Sequence, residues 1–228
     1  MKDACFLMKD DKNVSFIENS PINYNYGKLI PKDGKTFHVL IRTDNPNIKS
    51  LTREKILTEQ AAKELEKQIG FDIKIYDIND NHPAIDIFLD FKLKDDYFTA
   101  NVLAYAGYPV GSLKGIVVFN SNYIWLDGQP HMGDELRKMG IILPGMRDDN
   151  GYATYNYKQT IKHEMFGHTF GLPHTNDPED TMYPYYGKDR VMYGKQSKDL
   201  LIKTYGTASA KKRAIPDSWI KSVMYRKL

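Results

Sequence analysis

The sequence predicts one mixed fold of strands and helices around a single sheet, on three observations. Apolar residues alternate with the period of a strand at Phe37, Val39 and Ile41, at Phe71, Ile73 and Ile75, and at Ile85, Ile87, Leu89 and Phe91. Between the first two runs, Leu57, Ala61, Leu65 and Ile69 recur at four-residue steps, the period of one face of a helix. The 228 residues are 41% hydrophobic and 27% charged, with a mean hydropathy of −0.54, enough apolar material for a core and too much for a disordered chain.

Taken in order, residues 1–34 mix charges with Asn, Pro and Tyr and show neither period, so they read as an N-terminal arm. The strand at Phe37 ends at Asn45-Pro46-Asn47. A helix is expected over Thr52–Ile69, with Thr52 as N-cap, Glu54 in the first turn and Gly70 as the glycine past its end. Val102–Ala106 and Gly115–Phe119 are strand-sized apolar runs. Residues 126–152 are rich in turn formers and read as a long excursion, with a helical turn near Glu135–Met139. No internal repeat is visible.

Composition excludes several functions. Thirty-two Lys and Arg against 29 Asp and Glu leave +3, too even a balance to argue for nucleic acid or an anionic membrane as partner. The single cysteine, Cys5, rules out an intramolecular disulfide. No apolar run approaches the roughly 18 residues of a membrane helix. Ala4–Met8 is too short for the core of a signal peptide, so synthesis in the cytoplasm is expected, with virion association or export without a leader as onward routes.

Three of the six histidines fall within twelve residues, at His163, His168 and His174. Neutral imidazoles are the commonest zinc ligands, three of them leave a fourth position for water, and a neighbouring carboxylate, Glu164, can take that water's proton. Gly171 lets the chain turn back so that His174 returns to the metal. Eight residues after His174 comes Met182, in Asp180-Thr181-Met182-Tyr183-Pro184, a turn that offers an apolar floor. His38, His82 and His131 have no partners at ligand spacing.

These residues resemble the metzincin zinc peptidases, and among them the matrixins, whose signature is HExxHxxGxxH followed by a methionine turn. His168-x-x-Gly171-x-x-His174 and Met182-Tyr183-Pro184 carry the resemblance, with His163-Glu164 as the opening pair. Leu103-Ala104-Tyr105-Ala106 before Pro109 and Phe119-Asn120 before Trp125 resemble the family's edge strand and the strand after it, and Gln196–Gly206 its last helix. The resemblance implies an α+β fold: a twisted mixed five-stranded sheet, a long active-site helix, a methionine turn and a C-terminal helix. It implies a domain over residues 35–206 and one catalytic Zn²⁺ held by His163, His168 and His174, with Glu164 as general base. Gly171, Met182, Pro184 and Tyr186 would support the site. A peptide or protein substrate would lie extended along an edge strand near Val102–Tyr105, against a wall near Pro184–Tyr186.

The sequence departs from the family in three places. Positions where matrixins place ligands for further ions hold Tyr105, Val118 and Asn120, so calcium is not supported. No cysteine-switch sequence is present. Most seriously, four residues rather than three separate His163 from His168, giving HExxxH. Successive helical residues turn by about 100°, so His163 and His168 would diverge by about 140° on a regular helix. Either a π-bulge absorbs one residue and restores both histidines to one metal, or an undistorted helix presents Glu164 and His168 as ligands with His174 and leaves Met165 where the base belongs. The bulge retains all four functional side chains.

Three functional readings remain. One is a zinc endopeptidase. Another is a catalytically inactive zinc-binding structural subunit, for example of a phage or virus particle; an injected or leaderless toxin is a third reading. Residues 207–228 form a basic tail with a local charge of +5, in which Trp219, Ile220, Val223, Met224 and Leu228 make an apolar stripe. A short helix over 214–228 that docks on the body or on a protein partner is expected.

Overall fold

Phe37, Val39 and Ile41 are completely buried in a five-stranded sheet. The structure is a computed structural model, described here for residues 26–98, 102–126, 154–184 and 192–207. In order, its elements are β1 (Thr36–Thr43), α1 (Thr52–Glu66), β2 (Asp72–Asp77), β3 (Ile87–Lys92), β4 (Ala104–Ala106), β5 (Ile116–Asn120), β6 (Ile124–Leu126), β7 (Thr154–Asn156), α2 (Tyr157–Glu164), a 3₁₀ turn at His168–Phe170, and α3 (Lys195–Tyr205). The sheet runs β2-β1-β3-β5-β4. Its first four strands are parallel and β4 is an antiparallel edge. Parallel neighbours need a crossover, and α1 supplies the one between β1 and β2. Beside the sheet, β6 and β7 form a separate parallel pair.

The alternation read from sequence sets one face of this sheet. Leu57, Ala61 and Leu65 on α1 pack with Ile73, Ile75, Ile87 and Leu89 in the buried core. The other face is not open: His38 and Leu40 are buried as well, because β1 lies between two strands and its outward residues are covered by neighbours. His38 is held by the Tyr76 hydroxyl at 3.1 Å and by Asp33 at 3.2 Å.

Aromatic rings bind the helices to the sheet. Phe119 meets Phe91 at 5.3 Å, Tyr157 at 5.3 Å and Trp125 at 4.7 Å between centroids. The Tyr157 hydroxyl lies 2.7 Å from that of Thr58, joining α2 to α1 inside the core. Tyr205 on α3 donates to the Phe170 carbonyl at 3.1 Å and accepts from the Leu29 N–H at 3.0 Å, so a residue of the N-terminal arm is fastened to the last helix. Each such fully buried side chain contributes roughly 1.5–3 kcal/mol by removal from water.

Several boundaries differ from expectation. Helix α1 stops at Glu66 instead of Ile69, where Gln68 and Ile69 both donate to the Leu65 carbonyl in a closing turn. Thr52 is its first helical residue and not its N-cap; Ser50 accepts from the Thr52 N–H at 3.2 Å. Gly70 is absent from the positive-φ glycines, since the chain passes from the turn straight into β2. Helix α2, which carries His163 and was expected to be long, is short, eight residues. The expected helical turn near Glu135–Met139, the helix over 214–228, Cys5, His131 and Tyr186 lie outside the described residues. Among the described residues, no helix is long and apolar enough to cross a membrane.

Candidate metal centre

Helix α2 starts from a side-chain cap: Asn156 accepts from the Gln159 N–H at 3.0 Å. Nearly every face of it is buried, including Gln159, Thr160, Lys162, His163 and Glu164. A buried ammonium needs a partner, and Lys162 finds one in Glu64 of α1. His163 and Glu164 form the last turn of this helix.

The extra residue is absorbed where α2 ends. Met165 donates to the Ile161 carbonyl at 3.0 Å in the ordinary helical pattern, and Phe166 donates to the same oxygen at 3.2 Å, a wider π-type bond spanning five residues. Past Gly167 the chain restarts as the 3₁₀ turn, with Phe170 donating to Gly167 at 3.1 Å and Gly171 to His168 at 2.8 Å. The wider bond of Phe166 is therefore the last of its helix instead of a bulge within a longer one, and a second five-residue bond, Leu172 to Gly167 at 3.0 Å, closes the 3₁₀ turn. No undistorted helix connects Glu164 to His168, and this is why α2 is short.

Two glycines make the route passable for different reasons. A Cβ on Gly167 would overlap the His163 carbonyl oxygen and the Met182 sulfur, so that position requires close approach. Gly171 has φ of +86°, the left-handed region that closes the turn and sends the chain back toward His174.

The result is a triangle of nitrogens. The Nε2 atoms of His163 and His168 are 3.1 Å apart, those of His168 and His174 3.1 Å, and those of His163 and His174 3.2 Å. The Nδ1 of His163 donates to the Thr181 carbonyl at 2.7 Å and the Nδ1 of His168 to the Leu172 carbonyl at 2.9 Å. A carbonyl only accepts, so in the neutral rings both Nε2 atoms carry lone pairs. Burial, reinforced by the neighbouring imidazoles, pushes His168 and His174 well below the usual histidine range and keeps them neutral. Lone pairs facing one another at this distance repel unless a cation lies among them. Nitrogens around a tetrahedral ion with bonds of about 2.0–2.1 Å lie about 3.3 Å apart, so the donor set fits zinc.

Glu164 stands apart from the ligand group: among the described residues, the group able to share one ion is His163, His168 and His174. It is fully buried, neither carboxyl oxygen has a hydrogen-bond partner, and burial pushes its pKa up to about 8. Met182 is fully buried with its sulfur against Gly167, between the two histidine-bearing segments, and Pro184 is half-buried two residues on. The alternative family ion positions are otherwise engaged: Tyr105 donates to Asp95 at 3.0 Å, Val118 is core, and Asn120 donates to the Val102 carbonyl at 3.1 Å.

Three functional partners were missed by sequence reasoning. The carbonyls of Thr181 and Leu172 orient two imidazoles of the triad, and a backbone oxygen leaves no mark in residue type. Asp180 is the third. Its Oδ1 accepts from the Met182 N–H at 2.9 Å and its Oδ2 from Ser197 of α3 at 2.7 Å. An aspartate two residues before a turn position is an Asx-turn signal, so this one was readable.

A family model described as Matrixin matches residues 33–205, and the chain belongs to the matrixin family of peptidases. Membership makes it a metallopeptidase in class, with zinc as the metal and peptides or proteins as substrates. A direct comparison with curated proteins finds no match.

Proposed function

We propose that this chain is an active zinc endopeptidase with Glu164 as its general base. The observation that supports this reading is the placement of a partnerless buried carboxylate immediately after the first of three converging imidazoles. Zinc held by His163, His168 and His174 supplies Lewis acidity toward a peptide carbonyl and makes water acidic enough to lose a proton near neutral pH. Glu164 takes that proton at a carboxylate oxygen and delivers it to the leaving amine. A dication close by favours the ionised carboxylate, offsetting the effect of burial.

The peptide pairs with the edge of the sheet. Leu103 accepts from Asn120, and Gly107 donates to Ile116, so these residues face β5, and by the alternation of an antiparallel ladder the backbone groups of Ala104 and Ala106 point away from it. Ala104 and Ala106 then supply the main-chain hydrogen bonds to an extended substrate.

Incubating zinc-loaded protein with a mixed peptide library and reading the cuts by mass spectrometry tests this. Cleavage is expected, and Glu164→Gln is expected to keep the zinc and lose about 10²–10⁴ in rate. An uncut library with one zinc per chain would favour the structural-subunit reading.

A further inference from the structure

A second polar group beside the histidines is as isolated as Glu164. The Tyr108 hydroxyl is buried and has no hydrogen-bond partner. Tyr108 lies two residues beyond β4, the edge strand. Its ring stands edge-on to His168, with centroids 5.2 Å apart and planes at 67°, and Tyr26 stacks on it at 4.3 Å and 18°. The ring is thus fixed against a metal ligand.

Buried hydroxyls are normally paired, and one left without a partner inside a site points to an occupant that pairs it. A phenol keeps its proton at neutral pH, so the Tyr108 hydroxyl acts as a donor. Glu164 and Tyr108 do not bond each other, although the carboxylate is near enough for its charge to bear on the phenol. One is an acceptor and the other a donor. Peptide hydrolysis asks for both: an acceptor for the proton of the attacking water, and a donor for the carbonyl oxygen on which negative charge develops.

Resting on the peptidase reading, we propose that Tyr108 is a second catalytic residue, its hydroxyl donating a hydrogen bond to the carbonyl oxygen of the scissile peptide. Water adds to the carbonyl carbon, its proton passes through Glu164 to the amine, and the C–N bond breaks. Tyr108 keeps its own proton throughout and stabilises the charge on the oxygen. Its place just past β4 puts the donor at the end of the strand along which the peptide lies.

The test compares wild type, Tyr108→Phe and Glu164→Gln, each confirmed to hold one zinc. Tyr108→Phe preserves the ring that packs on Tyr26 and His168. The expected result is a kcat lower by about 10²–10³-fold with little change in KM, the loss usual for one donor to a developing oxyanion. Binding of a phosphinic peptide, a charged tetrahedral mimic of the addition step, should weaken by a comparable factor, while binding of the uncleaved amide peptide to the double variant with Glu164→Gln stays as in Glu164→Gln alone. A merely structural tyrosine would not separate these two ligands. If wild type cleaves, Glu164→Gln does not, and Tyr108→Phe keeps its kcat, the proposal falls and the peptidase reading stands. Loss of zinc or of thermal stability in Tyr108→Phe makes the residue structural and likewise overturns the proposal. If zinc-loaded wild type cuts nothing, both fall together.

Discussion

The Nδ1 of His163 donates to the carbonyl oxygen of Thr181 at 2.7 Å, so the first imidazole of the triad is aimed by the same turn that carries Met182. That turn is itself braced by Asp180, which links the Met182 N–H to Ser197 on α3. Asp180→Ala is expected to lower zinc affinity by about 10–100-fold, the usual effect of removing a group that orients a ligand. Competition with a chromophoric chelator measures it; an unchanged affinity would show that the turn holds its shape without the carboxylate.

Gly167→Ala forces a methyl group against the His163 carbonyl and the Met182 sulfur. Overpacking of this kind costs about 1–3 kcal/mol. Because the displaced groups bracket two ligands, zinc retention should fall with stability. Parallel urea denaturation and elemental analysis decide, and a variant with wild-type values in both would refute the crowding.

Phe170 ties the metal segment to the sheet and to α3, meeting Phe37 at 4.9 Å and Tyr205 at 5.3 Å between centroids. Phe170→Ala should cost about 3–5 kcal/mol, the range for truncating a buried phenylalanine. Chemical denaturation in excess zinc isolates the packing loss from any loss of metal.

Asp33 accepts from the Lys35 and Thr36 N–H groups, both at 2.7 Å, and these bonds hold its carboxyl down to about 2. The folded pKa lies below the unfolded one, so the unfolded chain binds the extra proton between about pH 4 and about pH 2. The stabilisation is complete above that window and is lost as pH falls through it. Asp33→Asn should therefore melt below wild type at neutral pH, with the gap closing on acidification. A gap that is constant down to about pH 2 would mean that ionisation plays no part.

Much of the site was legible because its chemistry is local in sequence. His163, His168 and His174 fall in one short stretch, and the glycine and methionine that shape their surroundings stand at readable distances from it. The strands at Phe37, Ile73 and Ile87 were legible from period alone, since burial on one face writes itself into alternation. The end of α1 was less so: Ile69 continues the apolar stripe after the helix has stopped, because a buried residue in the closing turn satisfies the same pattern as a helical one. Tyr108 was invisible, since nothing in Gly107-Tyr108-Pro109 indicates that a fold will lay the ring on His168.

The sequence by itself determined the histidine triad and the carboxylate beside it, the helix and strand periods and the family. It also posed the problem of the fourth residue between His163 and His168 without solving it. Two backbones were compatible with that spacing, and local propensity does not choose between them. The tertiary structure chose, through one wider hydrogen bond at the end of α2, a glycine pressed against Met182, and the carbonyls of Thr181 and Leu172 that turn two imidazoles toward a common point. Two of those contacts, Gly167 against Met182 and His163 to Thr181, join parts of the chain whose approach depends on packing α2 and the methionine turn together. Met182 and Thr181 stand well beyond His163 and Gly167 in sequence, so no window of neighbouring residues contains that packing.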